Sequence, residues 1–522
     1  MSARAETDKK SVAVRLVEMA QERYCLGVSE DGEPFGAERT RPHLAMLLRA
    51  GKAGLRAELA SRYFRDTGTV AVGQALTDAT LILEGMAAIK APEKLYLRVA
   101  ELDGINYIDT GRPDGKVIRI GQGRWTVTDS APVRFLRSKL TAAMPLPSVG
   151  DLDRLWDFVN INVEDRPVLL AVLVAALVQC DVPHPVLALF AEQGSAKSTT
   201  TRMLVDLIDP SPVPLRQAPR DADSWVTAAS GSWVVALDNL SAIPPWLSDS
   251  LCRAATGDGN VKRALYTDAD LAVIKFRRCV IINGIDVGAV RPDLAERLAT
   301  VELRRIDRHM RQPEATMRQQ WRTALPGILS GLLDLAALVH QRLETISVDV
   351  SPRMADFSRT LAAVDEFLST NGFRRYLSRA SQLSEDSLSA DPFIERLRQH
   401  IEEPIIAGSG ADLLAAVTPA GDTWRRPKER PRNGRDVTAL LKRHAPALRS
   451  LGWVIEDDGA RNHRNVLLWT VYPPAKDVSA DQASQPSRPS LLRGSRGGLG
   501  NADIAPDSVP EEPVEDLSIE AS

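Results

Sequence analysis

The chain has 522 residues, of which 44% are hydrophobic and 25% are charged, as in soluble globular proteins of several domains. The formal net charge of −3 says little about nucleic-acid binding, because an acidic stretch after about Lys476 offsets a more basic charge in the rest of the chain. The four cysteines are far apart and lack zinc-site spacing, so we expect reduced, buried thiols. The longest apolar run, Val168 to Val178, is too short to span a bilayer, and the N-terminus does not resemble a signal peptide. We therefore expect a cytoplasmic protein with no membrane partner.

Two patterns divide the first part of the chain. Residues 1–92 carry apolar residues at helical spacing, for instance from Val12 to Met19, and predict an N-terminal helical domain. The sequence then changes to short alternating segments separated by glycines. This change predicts a small β-rich module over residues 93–148.

The stretch from Pro185 to Asp209 combines an apolar segment, a loop of small residues and an amphipathic segment. Val186 to Phe190 has the composition of a strand buried on both faces of a parallel sheet, and Thr199 to Leu207 has helical spacing. Between them, successive backbone N–H groups, the helix N-terminus, a lysine and a serine hydroxyl can converge on one point. This is the construction of a phosphate-binding loop.

The loop departs from the pattern G-x-x-x-x-G-K-[ST], because Ala191 and Ala196 occupy both glycine positions. If the loop binds nucleotide, Lys197 contacts the β- and γ-phosphates, Ser198 binds Mg²⁺, and a methyl at position 196 is tolerated in helical backbone. The alternative for the loop alone is a small-residue turn before a helix. The residues predicted to bind ATP are Glu192, Gln193, Gly194, Ser195, Ala196, Lys197, Ser198 and Thr199.

After the loop, apolar segments alternate with helical ones, which is the order of an α/β sheet. Together they predict a P-loop ATPase core over residues 149–310 and a helical lid or connector over residues 311–385. The predicted strands are Val213 to Leu215, Trp233 to Leu237, Cys279 to Ile282 and Thr300 to Leu303, with a hairpin over Lys262 to Phe276 and helices over Asp223 to Ala229 and Pro244 to Ala255.

The C-terminal part predicts a DNA-binding module and a tail. Gly434 to Ser450 has helical spacing and precedes two apolar segments separated by the turn DDGARNHRN. We therefore predict a winged-helix domain over residues 386–474. Residues 475–522 are rich in Pro, Ser, Gly and acids, which predicts a disordered acidic tail.

Two polar side chains follow predicted core strands. Asp238 comes after a run of apolar residues, as a Walker B aspartate does, and is predicted to bind Mg²⁺ together with Ser198. The alternative is an ordinary aspartate that caps a turn. Asn283 is placed for a sensor that hydrogen-bonds the γ-phosphate or the attacking water, and its alternative is a turn asparagine before Gly284.

Asn239 stands where many ATPases of this class have a glutamate that polarises the attacking water. An amide cannot accept a proton. Either Asp249 or Asp258 serves as the base, or turnover is slow, or the water is only oriented.

Arg291 and Arg297 are candidates for an arginine finger that reaches the nucleotide of a neighbouring subunit. We favour Arg297. The alternative is an exposed helix arginine that is only solvated, and the finger role requires an oligomer.

Six motifs follow one another along the chain. They are FAEQGSAKSTT, SWVVALDNLS, IPPWLSDSLCRAATGDG, KRALYTD, CVIINGID and RPDLAERL. This ordered set resembles the ATP-binding proteins of phages, prophages and other mobile elements, which are similar to superfamily 3 helicases of the AAA+ class. The resemblance covers residues 95–345 and, more loosely, the C-terminal module. It implies a hexameric ring around DNA and a pre-sensor hairpin, in which Lys262, Arg263 and Lys275 are candidate contacts to DNA or nucleotide.

A second basic surface is predicted in the C-terminal module, where cationic residues occur on three neighbouring elements that can contact phosphates. The alternative is a solvated linker rich in proline and arginine. The predicted DNA contacts in this module are Arg435, Lys442, Arg443, Arg461 and Arg464.

These observations lead to two hypotheses. The first is an ATP-driven, Mg²⁺-dependent DNA helicase or translocase, which acts as a homohexamer on single-stranded or forked DNA in the replication of a phage or other mobile element, with a separate primase-polymerase as partner. The second is a nucleotide-gated DNA-binding regulator or assembly factor, in which the altered loop binds ATP with little or no hydrolysis.

Overall fold

Helices and sheets occur along the whole described chain, which gives a mixed α/β fold. The computed structural model describes residues 10–49, 54–192, 194–257, 259–263, 271–275, 277–284, 290–349, 352–418, 431–461 and 466–474. The predicted tail, residues 475–522, lies outside this part of the chain.

The N-terminal part combines helices with short strands. Its elements are α1 (Val12–Arg23), β1 (Tyr24–Ser29), β2 (Pro34–Glu38), β3 (Leu44–Leu47), α2 (Leu55–Thr67), α3 (Gly73–Ala88), β4 (Pro92–Glu93), β5 (Leu95–Tyr96), β6 (Val99–Leu102), β7 (Ile105–Asp109), β8 (Val117–Gly121), β9 (Arg124–Thr128) and β10 (Arg134–Leu136). One mixed sheet has the order β4-β1-β2-β3-β10-β5, and β6 to β9 form an antiparallel meander.

The prediction of a helical domain over residues 1–92 is wrong in part, because β1, β2 and β3 lie within it. Short apolar segments such as Leu44–Leu47 fit both a helical and a strand period, so local spacing does not separate the two. The first sheet also takes β10 from the module predicted over residues 93–148. The two segments therefore share a sheet.

The central part is built on a parallel sheet in the order β12-β15-β11-β16. Its elements are α4 (Arg166–Val178), β11 (Val186–Phe190), α5 (Lys197–Ile208), α6 (Ala222–Ser230), β12 (Val234–Leu240), α7 (Pro245–Thr256), β13 (Gly259–Arg263), β14 (Leu271–Lys275), β15 (Cys279–Gly284), α8 (Pro292–Ala295) and β16 (Leu298–Glu302). The predicted strand over Val213 to Leu215 does not form, and Arg216 alone makes a bridge to Leu237. Prolines at positions 212 and 214 lack the N–H groups that a strand needs.

Helices cover this sheet and provide its core. They are α4 and the elements α9 (Glu314–Arg342), α10 (Ala355–Leu368) and α11 (Gly372–Ser389). Helix α4 is apolar on all sides and buried from Pro167 to Val178. By length and composition α9 is also apolar enough to cross a membrane, but 67% of its most apolar window is buried inside the fold. Residues such as Ile328 and Leu332 are fully buried, so α9 is a core helix here.

The C-terminal module has its own hydrophobic core, which includes Phe393, Leu441 and Trp469. Its elements are α12 (Pro392–His400), β17 (Ile405–Ser409), α13 (Gly410–Ala416), α14 (Gly434–Ser450), β18 (Val454–Arg461) and β19 (Leu467–Tyr472). The strands form an antiparallel sheet in the order β17-β19-β18. The predicted helix over residues 434–450 is confirmed, whereas β18 continues through part of the predicted turn.

A buried ion pair connects the β6–β9 meander to the central sheet. Arg98, which is 0% exposed, donates to Asp209 Oδ1 at 2.7 Å and to the carbonyl of Asp109 at 2.8 Å. The other oxygen of Asp209 accepts the backbone N–H groups of Trp233 and Val234, each at 2.9 Å. One carboxylate therefore holds the start of β12 and the meander together.

Replacing Asp209 by alanine is expected to lower the free energy of unfolding by about 3–5 kcal/mol, because Arg98 would stay buried without its counter-charge. The matched control is Glu18→Ala, which breaks the exposed pair with Lys10 and is expected to cost less than about 1 kcal/mol. Urea unfolding followed by tryptophan fluorescence measures both. Equal effects of the two substitutions would contradict the structural role of the buried pair.

Candidate functional site

The carboxyl ends of three parallel strands meet at one edge of the central sheet. β15 lies between β11 and β12, with Leu189 opposite Asn283. The loop after β11 leads into α5 at Lys197, and β12 presents Asp238 near its end. Ligands of open α/β sheets bind outside the carboxyl ends of the strands. This edge is therefore the candidate site.

A network of hydrogen bonds centred on Asn283 joins these elements. Its Nδ2 donates to Thr201 Oγ1 and to Asp238 Oδ1, both at 2.8 Å. Its Oδ1 accepts the backbone N–H of Asn239 at 2.8 Å, and Thr201 Oγ1 donates to the carbonyl of Lys197 at 2.9 Å. Asn283 is 1% exposed. Because both amide hydrogens already have acceptors, contact with a γ-phosphate requires that one of these bonds be exchanged.

In the loop, the ammonium group of Lys197 is bound by the backbone. Lys197 Nζ donates to the carbonyls of Ala191 at 2.7 Å and Glu192 at 2.9 Å. The buried Ser195 hydroxyl donates to the same Glu192 carbonyl at 2.9 Å. Burial lowers the pKa of Lys197, and the charge of Asp238 opposes that shift. The loop therefore places a cation beside the predicted metal ligand. Gln193 lies outside the described residues.

The expectation of helical backbone at Ala196 is wrong. Ala196 precedes α5 with φ 61° and ψ 34°, in the left-handed region, and Gly194 has φ 84°. For a residue with a Cβ atom this conformation costs about 1–2 kcal/mol. The loop therefore has a left-handed backbone conformation at position 196, where glycine is the usual residue, although the residue there is alanine.

Asn239 also has a left-handed backbone, with φ 57°. Asparagine tolerates this region better than glutamate does. The backbone conformation at this point of β12 therefore explains the asparagine after Asp238, whether or not its side chain also contacts a water molecule. Of the two acids considered as bases, Asp249 pairs with Arg291 at 2.7 Å, and Asp258 lies outside the described residues. The pairing with Arg291 therefore does not favour Asp249 as the base.

The structure does not support the preference for Arg297 as an arginine finger. Its guanidinium is buried and donates to the carbonyl and carboxylate of Asp293 at 2.6 and 2.7 Å, with Cys252 Sγ at 3.7 Å. Such a side chain does not reach a neighbouring subunit. Arg291 is more exposed and pairs with the exposed Asp249.

The predicted Mg²⁺ ligands fit a metal that is bound with its substrate. Within the described ranges, no group of three or more His, Cys, Asp or Glu side chains could hold a metal ion. Mg²⁺ in phosphoryl-transfer sites typically uses one or two carboxylates, substrate phosphates and water. A hydroxyl at Ser198, in the first turn of α5, and a carboxylate at Asp238 provide that kind of donor set.

The predicted hairpin is present as the antiparallel pair β13–β14, with Gly259 opposite Lys275 and Arg263 opposite Leu271. Its turn, residues 264–270, lies outside the described residues, as do the side chains of Lys262, Arg263 and Lys275.

In the C-terminal module, Arg435, Lys442 and Arg443 are exposed on α14. In the described part of the chain, Lys442 and Arg443 make no ion pair. Arg464 and the side chain of Arg461 lie outside the description. The structure therefore leaves three of the predicted cations available to a partner.

Sequence reasoning missed three residues that shape this site. Thr201 lies one helical turn after Lys197, so helical spacing could have identified it. Arg216 hydrogen-bonds through its backbone to one edge of β12: its N–H donates to the carbonyl of Ala236 at 2.9 Å, and its carbonyl accepts the N–H of Asp238 at 2.8 Å. The guanidinium of Arg311 lies against Gly194, and no local pattern connects these two distant positions.

Comparisons with known proteins show that the central region is similar in sequence to a family of replication proteins. Residues 149–386 match the family model of the actinomycete integrative conjugative element replication protein. The chain is similar to a solved structure described as an SCCmec type IV Cch active helicase, with 14% identity, a TM-score of 0.40, and coverage of 86% of this chain and 93% of that chain. It is also similar to the apo structure of the NrS-1 C-terminal region, with 10% identity, a TM-score of 0.36, and coverage of 88% and 99%. No curated protein matches the chain. The region that carries the candidate site is therefore similar to a replication protein family of a mobile element.

Proposed function

We propose that the chain is an ATP-dependent DNA helicase or translocase of superfamily 3 type that acts in the replication of a mobile element. The observation that carries the proposal is the meeting of Lys197, Asp238 and Asn283 at one sheet edge. Phosphoryl transfer to water depends on a cation, a metal-binding carboxylate and polar groups near the γ-phosphate. The family match of residues 149–386 supports the setting in replication.

The topology supports two finer assignments. The strand order β12-β15-β11-β16, with a single bridge at Arg216 beside β12, agrees with an AAA+ P-loop core. The order helix, strand, helix, helix, strand, strand over residues 392–472 agrees with a winged-helix module. A cytosolic homohexamer around DNA, with a separate primase-polymerase, follows from the resemblance to superfamily 3 helicases.

In the proposed reaction, triphosphate oxygens replace the carbonyls of Ala191 and Glu192 as acceptors for Lys197. Ser198 and Asp238 would hold Mg²⁺, which supplies neutralisation of the phosphate charge when it is bound. Asn283 keeps the Asp238 carboxylate in place. Since the amide of Asn239 cannot take a proton, its role is limited to orienting the attacking water.

The second candidate function is a nucleotide-gated DNA-binding regulator or assembly factor with weak hydrolysis. Two observations favour it: the strained Ala196 and the missing glutamate after Asp238. ATP hydrolysis with and without single-stranded DNA separates the two functions. Stimulation by DNA together with strand displacement on a forked duplex supports the helicase, and the absence of both supports the regulator.

Lys197→Ala is expected to lower the rate of ATP hydrolysis about 100-fold or more, because one preorganised donor to the transferring phosphate is lost. The control is Lys139→Ala, at an exposed position of the N-terminal part, which should leave the rate unchanged. Phosphate release at saturating DNA measures both. A rate in Lys197→Ala equal to that of the unsubstituted chain would show that the loop is not the catalytic site.

Ala196→Gly is expected to stabilise the chain by about 1 kcal/mol, because glycine adopts the left-handed region without a steric cost. Ala191→Gly, in the same loop but without a positive φ, is the matched control and should destabilise by about 0.5–1 kcal/mol. Denaturation midpoints measure both. The same sign for the two substitutions would show that position 196 is not strained.

The double substitution Lys442→Ala, Arg443→Ala is expected to weaken duplex DNA binding and to reduce the slope of log K against log[salt] by about 2, since each phosphate contact contributes about 0.9. Arg398→Ala, in α12 of the same module, is the control because Arg398 pairs with Glu385. Fluorescence anisotropy at several salt concentrations measures both. An unchanged slope in the double variant would exclude this face of α14 from DNA binding.

A further inference from the structure

The hydroxyl group of Thr201 links two elements of the candidate site. Thr201 is 0% exposed and lies in the second turn of α5. Its Oγ1 donates to the carbonyl of Lys197 at 2.9 Å and accepts from Asn283 Nδ2 at 2.8 Å. Lys197 is the first residue of α5, and Asn283 lies near the end of β15. One buried hydroxyl therefore connects the start of α5 to the end of this strand.

The same hydroxyl fixes the orientation of the Asn283 amide. A threonine hydroxyl has one hydrogen, and the carbonyl of Lys197 takes it. Toward Asn283 the oxygen can therefore only accept, which places Nδ2 rather than Oδ1 on the α5 side. The backbone N–H of Asn239 donates to Oδ1 at 2.8 Å and requires the same orientation. The second hydrogen of Nδ2 is thereby directed to Asp238 Oδ1, at 2.8 Å.

The two hydrogen bonds of Asn283 Nδ2 lie in different surroundings. The bond to Thr201 is buried, whereas Asp238 is half-buried and Asn239 after it is exposed. Loss of the Thr201 bond would leave a buried donor unpaired, which costs free energy. Loss of the Asp238 bond leaves a carboxylate that has further lone pairs and access to solvent. The bond to Asp238 is therefore the one that is exchanged more easily.

We infer that Thr201 is a positioning residue for the hydrolysis proposed above. Its hydroxyl holds the amide of Asn283 on the α5 side, while the hydrogen that is bonded to Asp238 passes to an oxygen of the γ-phosphate. This inference rests on the proposed function. Thr201 does not contact the nucleotide, because its fully buried hydroxyl already donates to one group and accepts from another. Its removal therefore affects the rate of hydrolysis more than the affinity for nucleotide.

The first test compares two substitutions of Thr201 in the full chain. Thr201→Val keeps the shape of the side chain without its hydroxyl, and it is expected to lower kcat for ATP hydrolysis about 10-fold. The KM for ATP and the Kd for ADP, which has no γ-phosphate, should stay within about 2-fold. Thr201→Ser keeps the hydroxyl and should restore most of kcat. A loss in KM alone, or an equal loss of kcat in both variants, would overturn the inference.

Thr80→Val is the matched control. Thr80 lies in α3 of the N-terminal part, and its hydroxyl donates to the carbonyl of Leu76, four residues earlier, at 2.7 Å. The substitution therefore removes the same kind of bond within a helix as Thr201→Val does, but away from Asn283. It should leave kcat unchanged. A fall in kcat equal to that of Thr201→Val would show that the effect is a general loss of helix stability.

A double-mutant cycle separates positioning of the amide from a structural role in α5. Asn283→Ala removes the amide, so in that background Thr201→Val should lower kcat by no more than about a further 2-fold. The cycle is also measured by urea unfolding without nucleotide, where the two substitutions should again be non-additive because they break one shared bond. Additive effects on kcat and on the unfolding midpoint would overturn the inference.

Lys197→Ala distinguishes failure of this inference from failure of the proposed function. If Lys197→Ala lowers the rate of hydrolysis while Thr201→Val matches the unsubstituted chain, the loop is catalytic and the inference alone fails. If the unsubstituted chain does not hydrolyse ATP, the proposed function fails and the inference fails with it.

Discussion

The buried amide of Asn283 fixes the geometry on which the candidate site depends. It is hydrogen-bonded to Thr201 of α5, to the carboxylate of Asp238 and to the backbone N–H of Asn239. A fully satisfied polar network in a low-dielectric interior is rigid, because any displacement leaves a buried group unpaired. These hydrogen bonds therefore hold the ends of β12 and β15 and the first turns of α5 to one another.

Binding of a triphosphate, as proposed, would require the loop to rearrange. The ammonium of Lys197 occupies the carbonyls of Ala191 and Glu192, and Ala196 holds a costly backbone conformation. A triphosphate would offer Lys197 charged acceptors, which are stronger than neutral carbonyls. If a triphosphate binds as proposed, part of the binding free energy is spent on exchanging these bonds.

Much of the central sheet could be predicted from the sequence, because β11, β12 and β15 are short, apolar and buried on both faces, and each is followed by a polar residue or a loop. Several of the other predictions depend on contacts between residues that are distant in the sequence. The preference for Arg297 rests on its place in a motif, but its guanidinium is held by Asp293, four residues earlier, and lies 3.7 Å from Cys252 Sγ in α7. Likewise, the backbone angle of Ala196 and the approach of Arg311 to Gly194 depend on packing between segments that no local pattern connects.

The burial of Arg297 also decides which arginine is available to a neighbouring subunit. Withdrawing the Arg297 guanidinium from its pocket would break its hydrogen bonds to the carbonyl and the carboxylate of Asp293. Arg291 is held by Asp249 in an exposed pair at 2.7 Å, with the aspartate side chain 52% exposed, and such pairs contribute about 1 kcal/mol or less. A phosphate of an adjoining subunit would offer Arg291 a charged acceptor of the same kind as this carboxylate. If subunits share a nucleotide site in a ring, Arg291 is therefore the more accessible of the two arginines for that role.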